Sequence, residues 1–358
     1  MMFLALTGFA ATARHAWVFE SSGYADAVRA AQTTGWVVDW CGSKGVCGAE
    51  GAAGVEVVIG RADAASDLSS LPNLKLAQSP SYFNTDGDRV PLQAAITRFS
   101  DWPAYGNEEI AEFVIAAIFQ HVYRLAERGE EMRRCAWAAD ASAACSAATT
   151  ATNHSMVSDL VIGVVGYGHI GQAVARRAGA LGATVVATAL NVSRPAPPPL
   201  AWLSTDNDRL YHAADVVVVT VPGSVLGLIN ATSLGLMKDD ALIIPVSAGP
   251  LNFADLAAAL AARPSLSAVI DVWPGGCFHF PNVTCGAPLG APNWPTADAA
   301  FASLPNVLPL PGMAMRDARF WAASAKCVAA NLDALATGQP LSGVVRNGTG
   351  AGLQYHDV

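Results

Sequence analysis

The sequence predicts an α/β fold with two domains, each built on a parallel sheet covered by helices. Apolar runs typical of strands alternate with amphipathic helical segments along most of the chain, an order typical of parallel sheets with helices on both faces. Runs such as "VVVVTV" at 216–221 and "ALIIPV" at 241–246 are apolar at nearly every position, as in strands buried on both faces. The length of 358 residues is enough for two domains with a large core.

The first half of the chain contains the elements of one sheet. Its predicted strands lie at 15–22, 36–40, 55–60 and 74–79. A helix is predicted at 24–33 and ends at Gly35. A longer helix, "NEEIAEFVIAAIFQHVYRLAER" at 107–128, begins with Asn107 as a cap and with two glutamates at the positive end of its dipole. The segment 138–155 is low in complexity and is predicted to be a linker or a surface loop.

The second half of the chain repeats this alternation. Its predicted strands lie at 160–165, 184–188, 216–221, 241–246 and 268–273. Helices are predicted at 169–181 and 253–262, and a final helix at about 316–336 stops near Gly338 and Pro340. This half therefore predicts a second parallel sheet.

Composition and charge exclude two classes of function. Hydrophobic residues make up 52% of the chain and charged residues 14%, but much of the apolar share is alanine, so the mean hydropathy of +0.33 does not indicate membrane spans. Apart from the N-terminus, the sequence has no strongly apolar run of about 18 residues, and no transmembrane helix is expected. The net charge of −8 argues against nucleic-acid binding, which requires clustered lysine and arginine.

The N-terminus bears on where the protein resides. An apolar stretch at 2–9 is followed by Ala11-Thr12-Ala13, which is similar to a signal-peptide cleavage site, so residues 1–13 are a candidate signal peptide. The alternatives are a first β-strand and a fragment of a transit peptide. A secretory or extracellular location is therefore an expectation, and a cytoplasmic or organellar location is its alternative.

Cysteines and glycosylation sequons bear on the same question. Six of the seven cysteines form the close pairs Cys41/Cys47, Cys135/Cys145 and Cys277/Cys285, while Cys327 is left over. Local disulfides fit this spacing, with free cytosolic thiols as the alternative, and none of the spacings matches a zinc site, so no metal is expected. N-x-[ST] sequons begin at Asn153, Asn191, Asn230, Asn282 and Asn347. Asn230 is also placed to cap a helix, a role that competes with carrying a glycan.

The segment "LVIGVVGYGHIG" at 160–171 predicts a dinucleotide-binding turn of the Rossmann type. A strand precedes the glycines and a helix follows them, which is the context that gives G-x-G-x-x-G its meaning. Gly166 would allow the tight turn, Gly168 would let the backbone approach a pyrophosphate, and Gly171 would let helix and strand pack closely. Phosphates would bind at the helix N-terminus. The predicted cofactor contacts of the turn are Gly166, Tyr167, Gly168, His169, Ile170 and Gly171, with His169 facing phosphate or solvent.

The end of the next strand bears on the choice between NAD and NADP. An Asp or Glu there would bind the ribose hydroxyls of NAD, but the sequence runs "VVATALNVSRP", and Thr188-Ala189-Leu190 occupies that place. Ser193 and Arg194 could instead contact a 2′-phosphate, which favours NADP. The alternative is that Arg194 is an ordinary surface residue in a proline-rich loop.

Several segments resemble, in order along the chain, the D-isomer-specific 2-hydroxyacid dehydrogenases. This family includes glyoxylate/hydroxypyruvate reductases, phosphoglycerate dehydrogenase and formate dehydrogenase. The matching segments are "LPNLKLAQSPSYFNTD" (71–86), "IAEFVIAAI" (110–118), "VIGVVGYGHIGQAVARRAGALG" (161–182), "HAADVVVVTVP" (212–222), "AVIDVW" (268–273), "LPNVLPLPGM" (304–313) and "GQPLSGVVRNGT" (338–349). The resemblance covers nearly the whole chain and is far more specific than the glycine turn alone.

The resemblance implies a domain division and further site residues. It implies a flavodoxin-like outer domain from 14–150 and 316–358, an inner nucleotide-binding domain at 151–315, and a homodimer. It implies that the cofactor is NAD or NADP and that the substrate is a 2-oxo or 2-hydroxy acid. The residues that it places at the site are Ser81 and Tyr82 for substrate, Val221 and Pro222 beside the adenine, and Ser247 and Asp271 near the nicotinamide.

Three positions depart from the family's catalytic pattern. The family has an arginine in "VNTARG" that pairs with the substrate carboxylate, and "IPVSAGP" puts Ala248 there. A glutamate follows "DVF" in the family and holds the catalytic histidine, but Pro274 follows "DVW" here. The histidine itself lies in "TPH", where "LPLPGM" puts Gly312. Reduction of ordinary 2-oxo acids is therefore expected to be slower by orders of magnitude.

Two other residues could take over parts of the chemistry. His279, in the insertion "PGGCFHFPNVTCG", is one candidate catalytic residue, and the alternative is a packed or surface histidine. Arg316 is the other candidate, and the alternative is that it caps the final helix. The first hypothesis is an NAD(P)-dependent oxidoreductase of this family, acting on a 2-oxo acid with altered catalytic residues. The alternatives are a pseudoenzyme that binds dinucleotide as a sensor or structural protein, and a secreted structural relative without a cofactor.

Overall fold

The structure is a computed structural model in which two compact units can be described. One unit comprises the described residues of Met1–Gly106 and Asp317–Asp357, and the other those of Asn107–Arg316. The described residues are 14–19, 22–41, 54–60, 68, 71–79, 93–98, 108–136, 155–192, 195–223, 225–273, 303–310, 312–314 and 318–346. Both units are α/β with parallel sheets, which confirms the predicted fold class.

The described residues of the first unit form a six-stranded sheet and two helices. Its strands are β1 (His15–Val18), β2 (Val37–Trp40), β3 (Val55–Ile59), β4 (Leu76–Ser79), β5 (Ala95–Arg98) and β13 (Val344–Arg346). Its helices are α1 (Ser22–Ala31) and α8 (Ala318–Thr337). The strand order β13-β5-β4-β3-β1-β2 contains the 2-1-3-4-5 order of flavodoxin-like folds, and only β13 among these strands runs antiparallel.

The helices of the first unit cover one face of its sheet. Val28 of α1 and Val328 and Leu332 of α8 are buried in one cluster with residues of β1, β3 and β4. Both ends of the chain therefore contribute to the same core. Asp333 also connects α8 to the segment after α1, because its carboxylate accepts hydrogen bonds from the backbone and hydroxyl groups of Thr33 and Thr34.

The second unit holds a seven-stranded sheet in which every described strand pair is parallel. Its strands are β6 (Val161–Val165), β7 (Thr184–Thr188), β8 (Leu200–Ser204), β9 (Val216–Val219), β10 (Leu242–Pro245), β11 (Ser267–Ile270) and β12 (Val307–Pro309). Its helices are α2 (Glu108–Tyr123), α3 (Leu125–Ala136), α4 (His169–Ala180), α5 (Asn207–Ala213), α6 (Ala231–Leu236) and α7 (Phe253–Ala262). The order β12-β11-β10-β9-β6-β7-β8 contains the 3-2-1-4-5-6 order of dinucleotide-binding folds.

Alternating side chains of the central strands fill a core on each face of this sheet. In β9, Val217 and Val219 join the cluster beneath α5, α6 and α7, while Val216 and Val218 join the cluster beneath α2 and α4. All four valines are buried, so the strand has no solvent-facing side. This explains why its sequence is apolar throughout instead of alternating.

The helix α2 differs from its predicted place. The resemblance put 107–150 in the outer domain, but the apolar face of α2 packs against α4 of the second unit. Glu108, at the start of α2, also pairs with Arg176 at 2.6 Å and with Arg177. The predicted continuous helix 107–128 is broken at Arg124, whose φ of +49° ends α2 before α3 begins. The candidate signal peptide at 1–13 and most of the predicted linker lie outside the described residues.

Candidate functional site

A tight turn joins the end of β6 to the start of α4. Gly166 has a φ of +96°, which favours glycine, and a Cβ there would lie 2.7 Å from Cγ1 of Val221. Its backbone N–H donates a hydrogen bond of 3.0 Å to the carbonyl of Thr188, at the end of β7. The turn is thus held between the ends of β7 and β9, the two strands that flank β6.

The other two glycines of the turn have opposite surroundings. A Cβ on Gly171 would lie 2.3 Å from the carbonyl oxygen of Gly166 and 2.9 Å from Cγ1 of Val164, so glycine is needed there for close packing. A Cβ on Gly168 would meet nothing within 4 Å, although Gly168 has an ordinary φ of −85°. Among the described residues, no contact requires a glycine at 168, and the position of its Cβ is open.

The N-terminus of α4 faces this open space. Gly168 is the N-cap and provides no side-chain hydrogen bond to the first turn of the helix. Backbone N–H groups at a helix start carry partial positive charge and bind phosphate oxygens well. His169 is the first helical residue, whereas Tyr167 and Ile170 pack against the core cluster of α2 and α4. The backbone of the turn, more than these two side chains, therefore has the form of a phosphate site.

Hydroxyl groups connect the carboxyl ends of β6, β9 and β10. Thr220 Oγ1 lies 2.5 Å from the carbonyl oxygen of Gly166, and Ser247 Oγ donates to the carbonyl of Val221 at 2.7 Å. Val221 and Pro222, expected beside the adenine, are the second and third residues after β9, at this edge of the sheet. The following loops also touch, because a Cβ on Gly249 would lie 1.7 Å from the carbonyl oxygen of Gly223.

Asp271 follows β11 at the same edge and is almost fully buried, at 2% exposure. Its two carboxylate oxygens accept hydrogen bonds from the backbone N–H groups of Met313 (2.8 Å) and Ala314 (2.9 Å). Nearby, Trp273 Nε1 donates to the carbonyl of Leu310 at 2.7 Å. In this structure Asp271 thus holds the segment after β12.

The end of β7 carries no acidic side chain. Thr188 is buried as the last residue of the strand, Ala189 donates its N–H to the carbonyl of Ser204, and Leu190 is fully exposed. A carboxylate that would select the ribose hydroxyls of NAD is therefore missing from the strand end itself.

Two of the three altered catalytic positions can be described. Ala248 is half-buried and packs against the core cluster beneath α5, α6 and α7. Gly312 is buried, with a φ of +69° that other residues rarely adopt. Neither residue can carry charge or transfer a proton. Pro274, the third position, lies outside the described residues.

The structure brings most of the predicted cofactor contacts to one edge of the second sheet. The predicted residues that lie outside its described part are Ser81, Tyr82, Ser193, Arg194, His279 and Arg316. Sequence reasoning missed Thr220, although a polar residue that ends a run of four valines is a visible signal. It also missed Gly249, whose partner Gly223 is distant in the sequence.

The clearest pKa shifts belong to groups away from the turn. Burial lowers the pKa of His121 on α2, although Asp240 opposes this shift. Burial raises the pKa of Tyr211 on α5 to about 12, with Asp208 adding to the effect. Within the described residues, no cluster of three or more His, Cys, Asp or Glu side chains could hold a metal ion.

Comparison with known proteins assigns the family. Residues 115–314, more than half of the chain, match the model described as "D-isomer specific 2-hydroxyacid dehydrogenase, NAD binding domain". The chain belongs to this family. The matched range contains the turn, Ser247 and Asp271, and it confirms the predicted family and cofactor class, NAD or NADP.

Curated relatives of the family match part of the chain. The D-3-phosphoglycerate dehydrogenase of Dictyostelium discoideum is 27% identical over 175 residues, which are 48% of this chain and 40% of that protein. The D-lactate dehydrogenase of Lactobacillus delbrueckii subsp. bulgaricus is 37% identical over 97 residues, which are 26% of this chain and 29% of that protein. The chain therefore spans less than half the length of these two relatives. Their names lend no support to the non-catalytic alternative.

Solved structures of the family show the same fold. The NADPH-dependent glyoxylate/hydroxypyruvate reductase from Sinorhizobium meliloti, solved with NADP and malonate, aligns with a TM-score of 0.70 at 20% identity and covers 97% of this chain and 100% of its own. The NAD-complexed D-isomer specific 2-hydroxyacid dehydrogenase from Lactobacillus delbrueckii ssp. bulgaricus aligns with a TM-score of 0.68 at 20% identity, covering 93% and 100%. Across the described residues, no helix is both long and apolar enough to span a bilayer.

Proposed function

We propose that this protein binds NAD(P) at the turn between β6 and α4 and transfers hydride between the cofactor and a 2-oxo acid. The observation that supports this proposal is that the three glycines of the turn have different surroundings. Gly166 and Gly171 are required by contacts inside the fold, whereas Gly168 faces open space at the uncapped start of α4. A glycine kept where the fold has room for a side chain fits a backbone that a pyrophosphate must approach.

The residues present fit the cofactor in distinct roles. Backbone N–H groups from Gly168 onward would bind the pyrophosphate, and Val221 and Pro222 would lie beside the adenine. Ser247 and Asp271 would flank the nicotinamide, the group that supplies or accepts the hydride when bound. Because Asp271 already holds the backbone at 313–314, it would fix the wall of this part of the site.

The altered positions require a different set of substrate contacts. Ala248 and Gly312 cannot pair with a carboxylate or give a proton to a ketone, so we assign these roles to Arg316 and His279 as the candidates from the sequence. A histidine is a suitable proton donor near neutral pH, and an arginine suits a carboxylate. Arg316→Lys should raise the KM for the oxo acid, and His279→Gln should lower kcat at unchanged cofactor affinity. Unchanged kinetics in both variants would refute this assignment.

Turnover of a 2-oxo acid panel tests the activity. With NADPH saturating, we expect turnover that saturates with the oxo acid but lies below the usual enzyme range of roughly 1–10³ s⁻¹, since the family's arginine and histidine are replaced. Ala248→Arg should lower the KM more than Ala248→Lys, because only arginine forms a bidentate pair with a carboxylate. Cofactor binding without turnover on any oxo acid would contradict the proposed reaction.

NADP is the cofactor that we propose over NAD. The end of β7 lacks the acid that would bind the ribose hydroxyls and repel a 2′-phosphate, and Ser193 and Arg194 follow in the sequence. Parallel titrations with NADPH and NADH should give the lower Kd for NADPH. Arg194→Gln should remove the difference, and a lower Kd for NADH in the wild-type protein would reverse the assignment.

We further propose a homodimer in the secretory pathway. The family resemblance supports the dimer, and light scattering of the purified chain would measure it. For the location, the support is that Cys41 is disulfide-bonded, since disulfides persist in oxidising compartments. The sequon at Asn230 gives no support, because its side chain accepts hydrogen bonds from Thr232 and Ser233 as a helix cap. A glycosidase-sensitive mobility shift is expected, and its absence in the native host would count against the location.

A further inference from the structure

We propose that Thr220 is a positioning residue that fixes the shape of the phosphate-binding turn. This inference rests on the proposed dinucleotide binding and concerns a residue that touches the turn from another strand. Thr220 directly follows β9, and its Oγ1 lies 2.5 Å from the carbonyl oxygen of Gly166 and 3.1 Å from that of Val165. It reaches across 54 positions of sequence to do so.

The single hydroxyl proton of Thr220 belongs to the bond with Gly166. The carbonyl of Val165 already accepts the backbone N–H of Thr220 at 2.9 Å, so it has a partner without the side chain. The distance to Gly166 is also the shorter of the two. Since a hydroxyl donates one proton, the Gly166 carbonyl is the acceptor that depends on this side chain.

The consequence is a fixed peptide plane at the entry to α4. Because a trans peptide is planar, holding the carbonyl of Gly166 also sets the direction of the N–H of Tyr167 and of the chain leading to Gly168. The same oxygen lies 2.3 Å from where a Cβ of Gly171 would be, so the carbonyl is confined between Thr220 and the first turn of the helix. A rotation of this plane would displace the backbone that faces the phosphates.

The residue type at 220 supports a specific role. The four residues before it, all of β9, are buried valines, and a valine at 220 would have nearly the same shape as threonine. A methyl group in the place of Oγ1, however, would lie about 2.5 Å from the carbonyl oxygen of Gly166, which is too close for a carbon–oxygen contact, so this position requires a hydroxyl. Ser247 makes the corresponding bond one strand further on, to the carbonyl of Val221. The two hydroxyls connect the ends of β10, β9 and β6.

Three variants of the full chain test this role. Thr220→Ala removes the hydroxyl without placing a methyl group against the carbonyl of Gly166, and Thr220→Ser keeps the hydroxyl, so these two variants differ only in that group. Ser233→Ala is the matched control, because Ser233 also donates to a backbone carbonyl, that of Asn230 at 3.0 Å, in the same unit but in the cap of α6. NADPH titration would give each Kd, thermal denaturation each stability, and hydrogen exchange the protection of a peptide covering residues 164–172.

We expect Thr220→Ala to raise the Kd for NADPH about three- to tenfold, the effect of losing one partly buried hydrogen bond, and to speed exchange at 164–172. Thr220→Ser should restore both values, and Ser233→Ala should lower stability without changing either. A Thr220→Ala protein that binds and exchanges like the wild type would overturn the inference. If the wild type itself fails to bind NADPH, the proposed function fails, and the exchange data alone decide whether Thr220 shapes the turn.

Discussion

Alanine substitutions at Gly168 and Gly171 separate binding from folding within the same turn. At Gly168 the new methyl group projects into open space from a backbone with φ of −85°, which alanine adopts without strain. Alanine at an N-cap is slightly unfavourable, while a less flexible unfolded chain is slightly favourable, so the two effects nearly cancel. We therefore expect Gly168→Ala to fold with the stability of the wild type.

The same methyl group would stand where the pyrophosphate must approach the backbone. We expect the Kd for NADPH to rise at least tenfold, which corresponds to about 1.4 kcal/mol. At Gly171 we expect the loss to be in folding stability instead. A Cβ there would lie 2.3 Å from the backbone oxygen of Gly166, which cannot move without disturbing the turn. Overpacking of this kind costs up to about 3 kcal/mol, or roughly 6–12 °C in melting temperature for a unit of this size.

The assay pairs thermal denaturation with fluorescence titration of NADPH on the wild type and both variants. Gly235→Ala serves as the control, since its Cβ would also meet nothing within 4 Å but lies in α6, far along the sequence from the turn. It should bind NADPH normally. The reasoning would be refuted if Gly168→Ala bound NADPH as tightly as the wild type, or if Gly171→Ala melted at the wild-type temperature.

Three further predictions concern stability and reactivity. Burial alone would raise the pKa of Asp333, but hydrogen bonds from Thr34 and Thr33 lower it below its ordinary 3.8. The ionised carboxylate should therefore stabilise the folded protein above about pH 4, and this contribution should be lost as the pH falls through the folded pKa. Asp333→Asn should accordingly cost about 1–2 kcal/mol at pH 7 and progressively less in acid, and a cost independent of pH would contradict this. Arg263 donates to three carbonyls at the end of α6 at 2.7 to 3.0 Å, so Arg263→Met should cost about 2–4 kcal/mol in urea denaturation, and an unchanged midpoint would rule out this clamp. Burial raises the pKa of the Cys327 thiol to about 12, so iodoacetamide should modify this residue only when the protein unfolds. Peptide mass spectrometry would measure the labelling, and rapid labelling of the folded protein would disprove the burial of Cys327.

The fold was predictable where apolar periodicity is strong. The helix predicted at 253–262 is observed as Phe253–Ala262, and the strand predicted at 184–188 as Thr184–Thr188. The edge strand β8 was missed because it follows a proline-rich segment and is only partly buried, which leaves little apolar signal. The break at Arg124 was missed because a positive φ in a charged residue has no counterpart in the hydrophobic pattern.

The site was predictable to the extent that its residues are adjacent in sequence. The glycine turn encodes its own geometry, so the roles of Gly166 and Gly171 could be inferred before any coordinates. Thr220 and Gly249 act on segments that are distant along the chain, and only the pairing of neighbouring strands reveals their partners. Asp271 was expected beside the nicotinamide, but its hydrogen bonds to the backbone at 313–314 required the structure.

Calorimetric titration of the wild-type chain with NADPH tests the central claim most directly. The account predicts a saturable isotherm with one site per chain, competed by ADP-ribose, which carries the same pyrophosphate but no nicotinamide. Absence of saturable binding at cofactor concentrations up to the millimolar range would contradict the claim that the turn at the start of α4 is a working phosphate site.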